Sequence, residues 1–153
     1  MDSPSAKFLI PVGKKGRFSL PAGSKTDGAT VVLTVGAPRC ILLLQAQEWY
    51  PMQDIILHAD RVAMERTGNP DPRIRTLVRL LVGFARECEV SRWGNIQVAP
   101  ELLRFARIRD QLLWVPASRG IELWNPLEFS EERGRKVFDT LIAHAKKNLE
   151  VNG

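Results

Sequence analysis

The sequence predicts a mainly β chain with helices, an α+β fold in which one strand-rich unit occurs twice and helices lie between and after the copies. Three observations carry this. Residues 8–21, FLIPVGKKGRFSLP, alternate in polarity on both sides of a glycine-containing break, the pattern of a hairpin. Residues 87–100, ECEVSRWGNIQVAP, repeat the pattern, with Gly94 on Gly16, Val90 on Val12, Ile96 on Phe18 and Val98 on Leu20. At an offset of 80, VGAPRCILLLQAQEW (35–49) lies over VPASRGIELWNPLEF (115–129) with six identities in 15 positions, well above chance. Such self-similarity settles the architecture before any single element does, and two copies make a duplicated unit, not a solenoid.

In chain order, the first hairpin spans residues 7–21. Gly13 and Gly16 permit a tight reversal, so Lys14 and Lys15 point outward at its tip with Arg17 directly after. A turn-rich connection, AGSKTDGAT, follows at 22–30. Val31 to Val35 and Cys40 to Leu44 are continuous apolar runs, predicting strands buried on both faces. From Glu48 to Arg66, the spacing of Trp49, Met52, Ile56, Ala59 and Ala63 predicts a helix, with Pro51 tolerated in its first turn. The break TGNPDP (67–72) is too short for a flexible linker, so the repeats are expected to form one compact body.

A second helix is predicted over Arg73 to Ala85. Its apolar residues cover roughly twice the usual stripe of about 100°, so cover from two sides is expected. Arg75, Arg79 and Arg86 share the remaining face, as a rail for phosphate or, more plainly, a solvated edge. After the second hairpin, Pro100 to Ala106 reads as a short helix. Leu112 to Pro116 and Gly120 to Trp124 repeat the strand pair. A last helix begins at the N-cap candidate Ser130 and buries Val137, Phe138, Leu141, Ile142, Ala145 and Leu149.

The composition is that of an ordinary globular chain: 153 residues, 44% apolar, 25% charged, net charge +5. A membrane span needs a longer apolar run than any present, and the start MDSPSAK is not a secretion signal. Cys40 and Cys88 read as reduced core residues, and the cytoplasm is the expected compartment. The basic excess suits a polyanionic partner, with six Arg against three acids over 61–87. Catalysis finds no constellation. His58 and His144 stand apart on predicted helices, and no phosphate loop, dinucleotide fingerprint or metal-ligand spacing occurs. No enzyme activity, cofactor, metal or small-molecule substrate is expected.

The segments GKKGRFSLP, CILLLQAQEW, LVRLLVGFARECEV and GIELWNP resemble the MraZ family, the two-repeat member of the AbrB/SpoVT class of bacterial DNA-binding proteins. The resemblance runs from about Lys7 to Ala145. It implies a double-split β-barrel made by repeats at 7–48 and 85–128, with linking helices at 49–84 and a C-terminal helix at 129–150. It also implies a nucleoid-associated, ring-like homo-oligomer that binds double-stranded DNA and regulates a division and cell-wall gene cluster through promoter repeats.

The family's hairpins carry the pattern D-x-x-G-R. The first copy here reads Gly13-Lys14-Lys15-Gly16-Arg17, keeping the Arg and replacing the Asp. The second reads Ser91-Arg92-Trp93-Gly94-Asn95 and keeps neither. The resemblance makes Arg17 the base-reading candidate, with Lys14 and Lys15 as phosphate contacts. Arg92 is the only cation at the second tip, and Asn95 has the groups for a paired hydrogen bond to adenine. Trp93 is expected to pack into a subunit interface, with packing against sugar and base as the alternative. Two replaced motifs also leave open an oligomeric scaffold of the same fold without specific DNA binding.

Overall fold

The computed structural model describes residues 7–21, 28–36, 38–129, 142–147 and 149. The N-cap proposed at Ser130 and the first half of the last helix lie outside these residues, as does most of the 22–30 connection. The fold is mixed α+β. Strands β1 (Phe8–Pro11), β2 (Arg17–Ser19), β3 (Thr30–Gly36) and β4 (Cys40–Gln45) come first. Helices α1 (Ala46–Thr67) and α2 (Pro72–Leu77) and a π-helical turn (Val78–Val82) follow. Then come β5 (Arg86–Glu89), β6 (Asn95–Gln97), helix α3 (Pro100–Ala106), β7 (Gln111–Pro116) and β8 (Ile121–Trp124).

Six strands form one antiparallel sheet in the order β1-β7-β8-β4-β3-β5, and β2 and β6 form a separate ribbon. The two expected hairpins are therefore corrected. Both turns close, with Gly13 N–H donating to the Arg17 carbonyl at 2.8 Å and Ser91 N–H to the Asn95 carbonyl at 2.9 Å. The flanking strands then part. β1 pairs with β7 and β5 with β3, while β2 and β6 pair with each other, Phe18 opposite Ile96. Each copy thus completes its strand pairing with the other. Among the described residues the strands make no closed barrel: β1 and β5 are the sheet edges.

The side-chain period of two sends alternate residues of β3 and β4 to opposite sides of the sheet. Val31, Leu33, Val35, Ile41 and Leu43 face the ribbon and α3, joining Phe18, Ile96, Val98, Leu102, Trp114 and Leu123. Val32, Leu42 and Leu44 face the opposite way, joining Trp49, Met52, Ile56, Ile74, Leu77, Ile142 and Ala145. This alternation explains why β3 and β4 read as continuous apolar runs.

α1 starts earlier than the apolar stripe suggests because Gln45 and Glu48 form a reciprocal capping box, and it stops at Gly68 in the left-handed region. All five stripe residues, alanines included, are buried. The predicted second helix is not continuous. Asp71 caps α2 by accepting from the Arg73 and Ile74 amides. The chain then widens, Gly83 N–H bonding the Val78 carbonyl at 2.9 Å, while the buried Thr34 hydroxyl donates to the Leu81 carbonyl. A strand residue thus satisfies a carbonyl released by the irregular turn. Ile74, Leu77 and Leu81 of this segment are buried, while Leu80 is 40% exposed. The arginine rail is interrupted by ion pairs, Arg75 with Asp60 at 3.3 Å and Arg86 with Glu101 at 3.4 Å.

Candidate nucleic-acid interface

The ribbon follows from three-residue strands whose middle residues are apolar. Phe18 and Ile96 point into the core at 3% and 2% exposure, so Arg17, Ser19, Asn95 and Gln97 share the outer face. Register sets them in two polar rungs. Arg17 stands opposite Gln97, its Nη2 donating to Oε1 at 3.5 Å. Ser19 stands opposite Asn95, its hydroxyl donating to Oδ1 at 2.7 Å.

The two turns sit at opposite ends of this ribbon. Lys14 and Lys15 are exposed at the Arg17 end, and Gln97 Nε2 donates to the Lys15 carbonyl at 3.1 Å, tying that turn to the partner strand. At the Asn95 end, the Ser91 hydroxyl accepts from the Trp93 and Asn95 amides, and the Arg92 guanidinium lies 5.1 Å from the Trp93 ring centroid. Trp93 is 71% exposed on the single chain. Its neighbour Gly94 takes the inner position of the turn, leaving Trp93 outside.

Gly16 and Gly94 both have φ +77°, a conformation that favours glycine. Gly16 is also buried, and a Cβ there would stand 2.7 Å from the Val98 carbonyl oxygen. The contact is reciprocal: Val98 N–H bonds the Gly16 carbonyl and Leu20 N–H bonds the Gly94 carbonyl, both at 2.9 Å. The turns are therefore locked onto the opposite copy by related backbone bonds.

The five residues singled out from sequence thus come together on one ribbon: Lys14, Lys15 and Arg17 at one end, Arg92 and Asn95 at the other. Ser19 and Gln97 were missed. Period-two alternation placed Ser19 beside Arg17 on one face, but only the pairing brings Gln97 opposite. Away from the ribbon, His144 Nε2 lies 2.9 Å from Asp71 Oδ2, fastening the last helix to the α2 cap. Both cysteines are free thiols; burial, then the nearby Glu122 charge, pushes Cys40 up, and burial raises Cys88. Among the described residues no group of three His, Cys, Asp or Glu side chains converges to hold a metal. No helix among them is long and apolar enough to cross a membrane.

Taken together, these features define a duplicated, strand-exchanged α+β protein that displays a basic two-stranded ribbon. The chain is 32% identical over 136 residues to the transcriptional regulator MraZ of Dechloromonas aromatica, covering 86% of this chain and 82% of that one. It is 32% identical to the MraZ of a Marinomonas species, covering 81% of each, and 33% identical to that of Aromatoleum aromaticum, covering 77% and 78%. No family model matches the chain. At this identity and coverage the chain belongs to the MraZ family, whose members are named as transcriptional regulators and not as enzymes.

Proposed function

We propose that the protein is a sequence-specific DNA-binding transcription regulator that presents the β2–β6 ribbon to the major groove. The observation that carries this reading is the outer face of the ribbon, where Arg17, Ser19, Asn95 and Gln97 line up between cation-bearing turns. A two-stranded ribbon fits the major groove, where arginine pairs with guanine and asparagine with adenine. Lys14, Lys15 and Arg92 supply phosphate contacts, which hold register without reading sequence. The relatives' names support regulation. The family resemblance extends the proposal to a division and cell-wall gene cluster, reached through promoter repeats in the cytoplasmic nucleoid.

One ribbon offers few charges, so useful affinity at physiological salt requires several linked copies. We infer a ring-like homo-oligomer. The exposed residues Tyr50, Leu57 and Met64, seven apart along α1, support it as an apolar stripe for self-association. The strand exchange between residues 7–48 and 85–128 supports their reading as two interlocked repeats, with 49–84 linking them, 129–150 as a terminal helix and the double-split barrel as the parent architecture.

The test is a fluorescence-polarisation titration with DNA from upstream of the protein's own gene, beside a scrambled duplex, at two salt concentrations. Tight selective binding that Arg17→Ala weakens is the expected result. A second reading, a scaffold without specific DNA binding, is favoured by Asn95 standing where the motif has arginine. A folded oligomer indifferent to both duplexes would put it first.

A further inference from the structure

We propose that the ribbon reads DNA directionally, through a guanine-reading rung at the Arg17–Gln97 end and an adenine-reading rung at the Ser19–Asn95 end. The inference rests on the DNA-binding reading above and adds the polarity of the site, together with Ser19 and Gln97 as positioning residues. Its basis is a mismatch between backbone and side chains. The backbone is close to two-fold: Gly16 N–H bonds the Gly13 carbonyl at 3.1 Å, as Gly94 N–H bonds the Ser91 carbonyl at 2.9 Å. The two cross-copy bonds, from Leu20 to Gly94 and from Val98 to Gly16, match likewise. A two-fold backbone with two-fold side chains would read an inverted repeat.

The side chains break that symmetry. Arg17 is matched by Asn95, Ser19 by Gln97, Lys14 by Arg92 and Lys15 by Trp93. Gln97 holds the first rung, accepting from Arg17 and donating to the Lys15 carbonyl, so the guanidinium is steadied by a side chain that is itself engaged at both ends. Ser19 holds the second, donating to Asn95 Oδ1. An amide oxygen has two lone pairs, so Asn95 keeps one acceptor site and its amino group for the paired bond to adenine. The rungs lie two residues apart, roughly 7 Å along the strands. That separation matches about two base-pair steps of 3.4 Å. The site therefore carries a guanine and an adenine about two steps apart in one fixed order, and reversing the duplex does not restore it.

The experiment is selection from a library of duplexes randomised over the bound segment, using the full chain as wild type, Arg17→Ala, Asn95→Ala and Asn95→Arg. Circular dichroism and urea midpoints establish that each is folded. Wild type is expected to select guanine at one position and adenine about two steps away. Arg17→Ala should flatten the first preference and Asn95→Ala the second, each losing roughly 5- to 150-fold in discrimination. Asn95→Arg gives both ends of the ribbon the same base-reading side chain and should shift selection toward guanine at both positions. Where Asn95→Arg does not fold, Ser19→Ala removes a single hydroxyl and should blunt the adenine preference alone. A symmetric wild-type site, or an Asn95→Ala profile identical to wild type, overturns directional readout while leaving DNA binding standing. Wild type that selects no duplex overturns both.

Discussion

Arg17 and Gln97 are 80 residues apart in sequence and directly opposite in the ribbon, with Arg17 Nη2 3.5 Å from Gln97 Oε1. Neither hairpin alone makes this rung, because each supplies only one of its strands. The polar face proposed for the major groove is thus a product of strand exchange between copies.

Arg17→Ala is expected to weaken binding to upstream DNA by about 1–3 kcal/mol, the worth of one paired base contact. Lys14→Ala and Lys15→Ala should act differently. Each is expected to lower affinity for all duplexes alike and to reduce the slope of log K against log salt by about 0.9, one phosphate contact. Polarisation titrations across a salt series separate the two behaviours.

Gly16→Ala should destabilise the fold well beyond Gly68→Ala. Both positions have positive φ, +77° and +75°. The left-handed conformation costs about 1–2 kcal/mol for a residue with a Cβ. Gly68 has open space around it, whereas a Cβ at Gly16 meets the Val98 carbonyl oxygen and Leu103 Cδ1, each at 2.7 Å. Urea midpoints of the two variants measure the difference, and equal losses would show that the turn yields without disturbing the opposite copy.

Acid should loosen the junction between α2 and the last helix. Burial raises the Asp71 carboxyl, but the bonds from His144 and from the Arg73 and Ile74 amides outweigh it, and the net shift is downward from 3.8. A carboxylate depressed in the folded state contributes stability that is present above its unfolded value and lost as pH falls through the folded one. Stability is therefore expected to drop below pH 3.8, with Asp71→Asn removing this part of the pH dependence. Urea midpoints of both proteins across that range check it.

Leu57→Glu is expected to dissociate the proposed oligomer while leaving the protomer folded, since Leu57 is 39% exposed. Ile56→Ala, one residue away and fully buried, should instead cost about 2–5 kcal/mol of stability. Sedimentation together with thermal unfolding distinguishes an outer face from a core position.

Much of this protein is written locally. Alternation marks the strands beside the two turns, continuous apolar runs mark β3 and β4, the Trp49 to Ala63 spacing marks α1, Pro100 marks the start of α3, and the matched Gly16 and Gly94 mark the duplication and the cationic turns. These are legible because periodicity and turn chemistry are properties of neighbouring residues. The π-helical turn was not, because the Thr34 hydroxyl that bonds the Leu81 carbonyl comes from a strand 47 residues away.

Tertiary structure alone decided the pairing. A period of two says which face of a strand is buried, and says nothing about which strand lies beside it. Strand partners are set by non-local hydrogen bonds and by core packing, and here both favour exchange: β1 closes on β7, β5 on β3, and Phe18 meets Ile96 under the ribbon. The sequence by itself determined two cationic turns and the residues they carry. Packing two copies around one core decided that Ser19 and Gln97 complete the polar face, and that Trp93 stays outside it.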